Sequence, residues 1–375
     1  MRKLVLKPKR AEIVGLETNL ELWPEIVLLT AGFKTAFVAT KKSPIPVSHP
    51  IHIAKGIFKD NLSIGWSSIA TIIRSTSPRA FFSIDIPSEA SQMLTRMLPE
   101  LPQVILAHGS MRAENLLKSH QYLTAPNPNR KLLVWGQHDV ELIHEVVGSH
   151  VQCAVVGSLR NAGYHLLRRA SKVRPPKNNE LLLVSQYSPK AELNYSFNEI
   201  RARVLHMMKQ HLSRYCRAHG IPLLIALRPK VSGEVAPGQW EEERRHYREI
   251  FWGVDVTFTD PNVKYSTYAA SDASNVTIGV PSGSLTESCG RGNKVLMFGA
   301  AQAPQSNFAF PHKGLWLVEE PSYEEFSDVL SAIRNLTDLQ FGNYTSLFIG
   351  RMIANAKDSS TVEQIRGHLN NLVLC

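Results

Sequence analysis

From residue 79 onward the chain alternates short apolar runs with longer segments of helical spacing. The runs RAFFSIDIP (79–87), PQVILAHGS (102–110), KLLVWGQ (131–137) and VQCAVVGS (151–158) predict strands. Between them SEASQMLTRMLPE (88–100), MRAENLLKSHQYL (111–123) and HDVELIHEVVG (138–148) predict helices. A second series starts at ELLLVSQYS (180–188), a strand followed by a long helix over 197–219 that Gly220 should stop. Strands IPLLIALRP, VDVTFTD, NVTIGVPSGS, KVLMFGA and GLWLV then alternate with helices WEEERRHYREIFWG, VKYSTYAASD, LTESCGRG and SYEEFSDVLSAIRNLTD. Near-continuous apolar strands separated by helices predict a parallel α/β sheet covered on both faces. Before residue 79 the pattern is less regular. EIVLLTAG (25–32) and TAFVAT (35–40) read as short buried strands, and LSIGWSSIATIIRS (62–75) as a helix running to a turn at Ser77-Pro78.

Two such series in 375 residues imply two domains. The stretch LRRASKVRPPKNNE (167–180), with five basic residues and two prolines, is the expected linker. The expected division is therefore 1–170, 178–340 and a helical segment 341–375 that packs back on the first domain. Composition adds little to this, since 43% hydrophobic and 20% charged residues are ordinary for a globular protein. The net charge of +10 points to an anionic partner without choosing among nucleotide, phospholipid surface, acidic glycan and nucleic acid. Four scattered cysteines show no CxxC spacing, so a reducing, cytoplasmic location is expected and the Asn-X-Ser/Thr sequons carry no weight. No apolar window is long enough for a membrane span, and the basic N-terminus lacks the apolar core of a signal peptide.

In an open parallel sheet, ligands bind beyond the carboxyl ends of the strands. Pro281-Ser282-Gly283-Ser284 lies at such an end. Gly283 permits close backbone approach, Ser282 and Ser284 carry hydroxyls, and the following helix offers its first amides to an anion. Glu287, three residues beyond Ser284, also completes a capping box, so an ordinary helix start is the competing reading. Arg228 and Lys230 follow one neighbouring strand, where two cations could neutralise a diphosphate or a sugar carboxylate; Ser185 and Gln186 follow another. In the first series, Asp85, His108-Gly109 and Gln137-His138-Asp139 end strands. Glu89, Arg112 and Glu114 lie a turn further on. A carboxylate or imidazole at a strand end is placed for general-base work, while Asp139 can equally cap its helix. No HExxH, paired CxxC, Walker or dinucleotide fingerprint occurs, so no metal or resident cofactor is expected.

Together, VILAHGS, KLLVWGQHD, CAVVGSLR and YAASDASNVTIGVPSGSLTESCGRGNKVLMFG resemble glycosyltransferases of the GT-B architecture, two Rossmann-like domains facing each other across a cleft. The similarity spans about residues 80–300 and is nearest to bacterial surface-polysaccharide enzymes: capsule and O-antigen Kdo transferases, sialyltransferases and related glycerophosphotransferases. It implies an acceptor-side loop at His108, Gly109 and Arg112 in the first domain. It also implies a donor loop at Ser282, Gly283, Ser284 and Glu287 in the second, with Ser185, Gln186, Arg228 and Lys230 nearby. Asp85, His108 and Glu114 are the candidates for base or nucleophile. The Lys/His-Pro-His-Pro element of several relatives is reduced here to Arg228-Pro229-Lys230, and the N-terminal glycine-rich loop is not evident.

The expected activity is metal-independent transfer of a sugar, Kdo or another acidic sugar from a CMP-activated donor, to a lipid-linked surface polysaccharide. The partners implied are a nucleotide sugar, a glycan or glycolipid acceptor and an anionic membrane met peripherally, with no nucleic acid. A sugar-nucleotide epimerase of the same architecture and a non-catalytic component of a polysaccharide assembly complex are the alternatives.

Overall fold

The computed structural model describes residues 12–17, 23–31, 33, 35–39, 73–74, 77–84, 97–107, 109, 111, 116–117, 119–120, 123, 129–171, 177–187, 197–227, 238–300 and 314–374. These fall into two compact units, residues 1–163 with 358–375, and residues 164–357.

The first unit is built on a sheet of strands β1 (Ile13–Glu17), β2 (Thr35–Ala39), β3 (Ala80–Ile84), β4 (Gln103–Leu106), β5 (Arg130–Val134) and β6 (Cys153–Val155). All pairings are parallel, in the order β2-β1-β3-β4-β5-β6. Strands β3 and β4 are buried along their whole length, as continuous apolar runs require when helices cover both faces. The segment EIVLLT, expected as a strand, is instead part of helix α1 (Trp23–Thr30). Two features explain the difference. Pro24 fits a first helical turn because its missing N–H would have no partner there. Glu25, Ile26, Leu29 and Thr30 are buried, a spacing that gathers them on one helical face. Strand β1, with which two other strands pair, had no sequence signal of its own. The helix expected over 62–75 lies largely outside the described residues, as does that over 88–100.

Helix α2 (Gln137–Val146) follows β5, and α3 (Leu159–Ser171) follows β6. The passage between units falls inside α3, after Gly163, rather than in the basic linker expected at 167–180. The expected C-terminal segment also divides. Helix α9 (Asp338–Met352) belongs to the second unit and α10 (Ser360–Leu374) to the first. There Arg366 donates to the Leu29 carbonyl and Arg79 to that of Val373, fastening α10 to α1 and to the start of β3.

The second unit repeats the plan with β7 (Leu181–Val184), β8 (Leu223–Ala226), β9 (Val256–Phe258), β10 (Val276–Gly279), β11 (Val295–Gly299) and β12 (Leu317–Glu319). Its parallel order is β12-β11-β10-β7-β8-β9. The chain thus builds outward from β7 in one direction through β9, then returns to the other side of β7 at β10. Helices α4 (Phe197–His219), α5 (Gln239–Ile250), α6 (Ser266–Ala273), α7 (Gly283–Gly290) and α8 (Tyr323–Asn335) complete it. Gly220, at φ +59°, ends α4 as its sequence position suggests. Gly290 has a different role: a Cβ there would lie 2.6 Å from that of Ala356, so only glycine lets α7 press against the end of α9.

Candidate functional site

The return from β9 to β10 makes the β7/β10 boundary the point where strand order reverses. In doubly wound sheets the crevice beyond the carboxyl ends of such strands is where ligands bind. Ser185 and Gln186 leave β7, Ser282–Ser284 leave β10, and the two strands are paired through Val276–Leu181 and Ile278–Leu183. Fold and register therefore bring these two groups of sequence-selected residues together.

On the β10 side the helix start differs in detail from the expected capping box. The N-cap is Ser282, in extended conformation, and its hydroxyl accepts from Leu285 N at 3.4 Å. Ser284 lies inside the first turn of α7 and leaves its cap to Ser282. The first backbone bonds of the helix run from Leu285 N and Thr286 N to Ser282 O. The amides of Gly283 and Ser284 precede those bonds and aim along the helix axis, out of the strand ends, as helix geometry dictates. Both residues are half-buried, so the turn is open at this end. Glu287 differs from its expected ligand role: only 1% exposed, it accepts from the Tyr268 hydroxyl at 2.5 Å, so that oxygen is already committed within the protein.

On the β7 side, Ser185 is also turned inward. Its hydroxyl donates to Glu243 of α5, and its oxygen lies 2.9 Å from the Tyr247 hydroxyl and 3.2 Å from Tyr187 N. A serine hydroxyl has one hydrogen and two lone pairs, so these three contacts use it fully. Ser185 therefore orders the turn rather than meeting a ligand, and Gln186, half-exposed, is the rim residue of that turn. Arg228 and Lys230 lie outside the described residues. The residue before them, Leu227, donates its amide to Thr259 Oγ1, tying the end of β8 to that of β9.

Away from the rim, at the amino-terminal ends of β10 and β11, a polar cluster gathers around a buried carboxylate. Asp272 is fully buried and accepts from Arg291 (3.0 Å), Asn293 (2.7 Å), Tyr164 (2.9 Å) and Arg168 (2.5 Å). The Arg291 guanidinium also lies over the rings of Tyr268 and Tyr164, at 4.6 and 5.3 Å. Burial opposes ionisation of Asp272, but the Arg291 charge and the donated hydrogen bonds outweigh it and hold its pKa below the ordinary value. Asp272 of the donor-loop resemblance is thus a structural brace, as is Ser271, whose hydroxyl bonds to Thr277 Oγ1 and accepts from Asn293.

In the first unit, Asp85, His108, Arg112 and Glu114 lie outside the described residues. Gly109 is described, and nothing lies within 4 Å of where its Cβ would be. Asp139 proves to be more than a helix cap: fully buried, it accepts from Trp135 N (3.1 Å), Gly136 N (3.4 Å) and Met111 N (2.8 Å). It thereby joins the turn after β5 to the segment after β4. Among the described residues no group of three metal-ligating side chains occurs.

The sequence passed over Glu243, Tyr247, Tyr268, Asp272 and Arg291. One signal was available: Glu243 and Tyr247 on α5 and Phe251 at its C-cap repeat at intervals of four, which sets a carboxylate on the same helical face as two aromatic residues.

A family model described as "putative O-antigen biosynthesis protein" matches residues 142–361. Among solved structures, HepE of Anabaena, determined in complex with UDP-glucose, is similar at TM-score 0.56 and 10% identity, covering 96% of this chain and 100% of that one. MurG of Acinetobacter baumannii gives TM-score 0.54 at 10% identity, with 97% and 100% covered. UDP-N-acetylglucosamine 2-epimerase of Rickettsia bellii gives TM-score 0.56 at 11% identity, with 96% and 95% covered. At these identities the likeness is one of fold, and the fold is the GT-B architecture. No curated protein sequence matches the chain.

Proposed function

Because the chain belongs to the O-antigen biosynthesis protein family, we propose that it is a glycosyltransferase of surface-polysaccharide assembly, with a nucleotide-activated sugar bound at the β7/β10 rim. The observation that carries this reading is the reversal of strand order at two paired strands, one of which ends in the Ser282-capped start of α7. Phosphate oxygens of the donor would accept from the Gly283 and Ser284 amides, where the positive end of the helix dipole also favours negative charge. The Ser284 hydroxyl adds one donor, and Arg228 and Lys230 supply positive charge. Gln186 contributes from the adjoining strand end.

The reaction would proceed without a metal, since helix amides and cations can carry the leaving diphosphate or monophosphate. A first-unit residue, Asp85, His108 or Glu114, would take the acceptor proton or, with retention of configuration, attack the anomeric carbon. An acidic sugar such as Kdo from a CMP donor, and a lipid-linked acceptor, complete the proposal. The net charge of +10 suits both an anionic donor and a peripheral position on the cytoplasmic face of an anionic membrane. No described helix is long and apolar enough to cross that membrane.

The test is a thermal-shift and calorimetric screen with CMP, CDP, UDP, GDP and dTDP compounds. Ligands that bind the folded state raise the midpoint by mass action. Absence of any shift across the panel would overturn the donor site. Turnover of a bound sugar nucleotide to its epimer without acceptor would replace transfer by epimerisation, and binding without turnover in the presence of acceptor glycans would favour a non-catalytic component.

A further inference from the structure

The inward-turned Ser185 is the first link of a longer chain of hydrogen bonds. Its neighbour on α5 is the Tyr247 hydroxyl. That hydroxyl lies 2.9 Å from Ser185 Oγ, and the Ser185 hydrogen goes to Glu243, so the Tyr247 hydrogen points at Ser185. Tyr187 N donates to the same oxygen. Of the backbone amides that follow β7, that of Ser185 donates to the Ala226 carbonyl and that of Tyr187 is consumed, through Ser185, in a relay that ends on one buried carboxylate.

Glu243 is 2% exposed. It occupies a core position of α5, where Tyr247 and Phe251 continue the same face. Taking a carboxylate out of water costs several kcal/mol, and packing alone would be served as well by leucine. What leucine could not do is accept the Ser185 hydrogen and so polarise the remaining bonds in one direction. With Glu243 accepting from Ser185, the donors of the relay point away from the rim and towards the protein. The Ser185 and Tyr187 amides are then taken within the protein, whereas the first amides of α7 are directed to an anion.

We propose that Glu243 is a positioning residue of the nucleotide site: through Ser185 and Tyr247 it fixes the Ser185–Tyr187 turn, so that Gln186 meets the uncharged part of the nucleotide while the phosphates are held at Gly283 and Ser284. The proposal rests on the donor-site reading above and adds to it a division of labour between the two strand ends.

The experiment compares wild type with Glu243→Leu, Glu243→Gln and Tyr247→Phe. For each, the Tm without ligand, the Kd of the nucleotide selected by the panel, and the hydrogen exchange of the Gln186 and Tyr187 amides are measured. Glu243→Leu should leave the Tm close to wild type, accelerate exchange at the Tyr187 amide and weaken nucleotide binding roughly tenfold, the effect of one lost positioning bond. Glu243→Gln keeps an oxygen to accept from Ser185 and should restore binding to within about twofold, a rescue that mere core packing does not predict. The affinity of inorganic diphosphate should change little in any variant. If Glu243→Leu folds and binds the nucleotide as wild type does, the proposal is overturned. Should that variant fail to fold, Tyr247→Phe, which removes only the hydroxyl that bonds to Ser185, carries the same expectation and the same refutation. If wild type itself binds no nucleotide, the donor site falls and this role falls with it.

Discussion

Replacing Asp272 by Asn should cost the second unit more than any other single-atom change in it. The carboxylate is fully buried and holds Arg291, Arg168, Asn293 and Tyr164. Asparagine keeps the volume but removes the charge and turns one acceptor into a donor facing other donors. Arg168 is partly exposed and can be rehydrated, whereas the Arg291 side chain is 3% exposed and would lose the carboxylate to which it donates. Breaking such a pair from one side costs about 3–5 kcal/mol. In a unit of this size each kcal/mol is about 2–4 °C of Tm, so calorimetry should show the second-unit transition lowered by roughly 6–20 °C. The pH dependence has a definite sign. The folded-state pKa of Asp272 is depressed from 3.8, so its contribution is present above that value and is lost as pH falls through the lower folded-state value. The gap between wild type and variant should accordingly be constant near neutrality and close in acid. Removing the buried cation as well, in Asp272→Asn/Arg291→Met, should recover part of the loss. A single variant that melts within about 2 °C of wild type at pH 7 would show that the cluster is not the buried charge pair described.

Ser282→Ala removes the α7 cap and should cost about 1 kcal/mol, whereas Ser284→Ala should leave the Tm unchanged yet weaken nucleotide binding; equal melting losses in both would refute the assignment of the cap to Ser282. Gly290→Val should be destabilising by about 1–3 kcal/mol or more, read from chemical denaturation, because its Cβ would lie 2.6 Å from that of Ala356. Burial pushes the thiols of Cys153, Cys216 and Cys289 up to about 12 from an ordinary 9.0. A raised folded-state pKa means that stability is complete below pH 9 and is lost as pH rises towards 12. In a Cys375→Ser background, a thiol reagent at neutral pH should therefore label Cys216 and Cys289 only at the rate of global unfolding, and Cys216→Ala should flatten the alkaline loss of stability.

The second unit was legible from residue 180 onward because its strands are short apolar runs and its helices carry their own stop signals, such as Gly220. Each of these signals is local. The segment EIVLLT misled because six mostly apolar residues fit either period, and what decides is burial of Glu25, Ile26, Leu29 and Thr30 on one face, a tertiary fact. The candidate site divides in the same way. The Ser-Gly-Ser turn after β10 was readable as a strand-to-helix junction. The partners that decide which serine caps, and which serine is spent inside the protein, were not readable. Glu243 meets Ser185 across 58 residues of sequence, and Asp272 meets Arg168 and Tyr164 across 104 and 108. Nothing in the composition around any of these residues announces the other.

The return of α10 to the first unit has a consequence for the order in which the protein is made. Ile365, Leu369 and Val373 are buried in a unit whose other residues end at Gly163. Every residue of the second unit leaves the ribosome before them. The usual order, in which the amino-terminal domain finishes first, is therefore inverted: the first unit must wait with part of its core uncovered until the last helix arrives. A released chain truncated after residue 357 should show a protease-resistant second unit and a protease-sensitive first one.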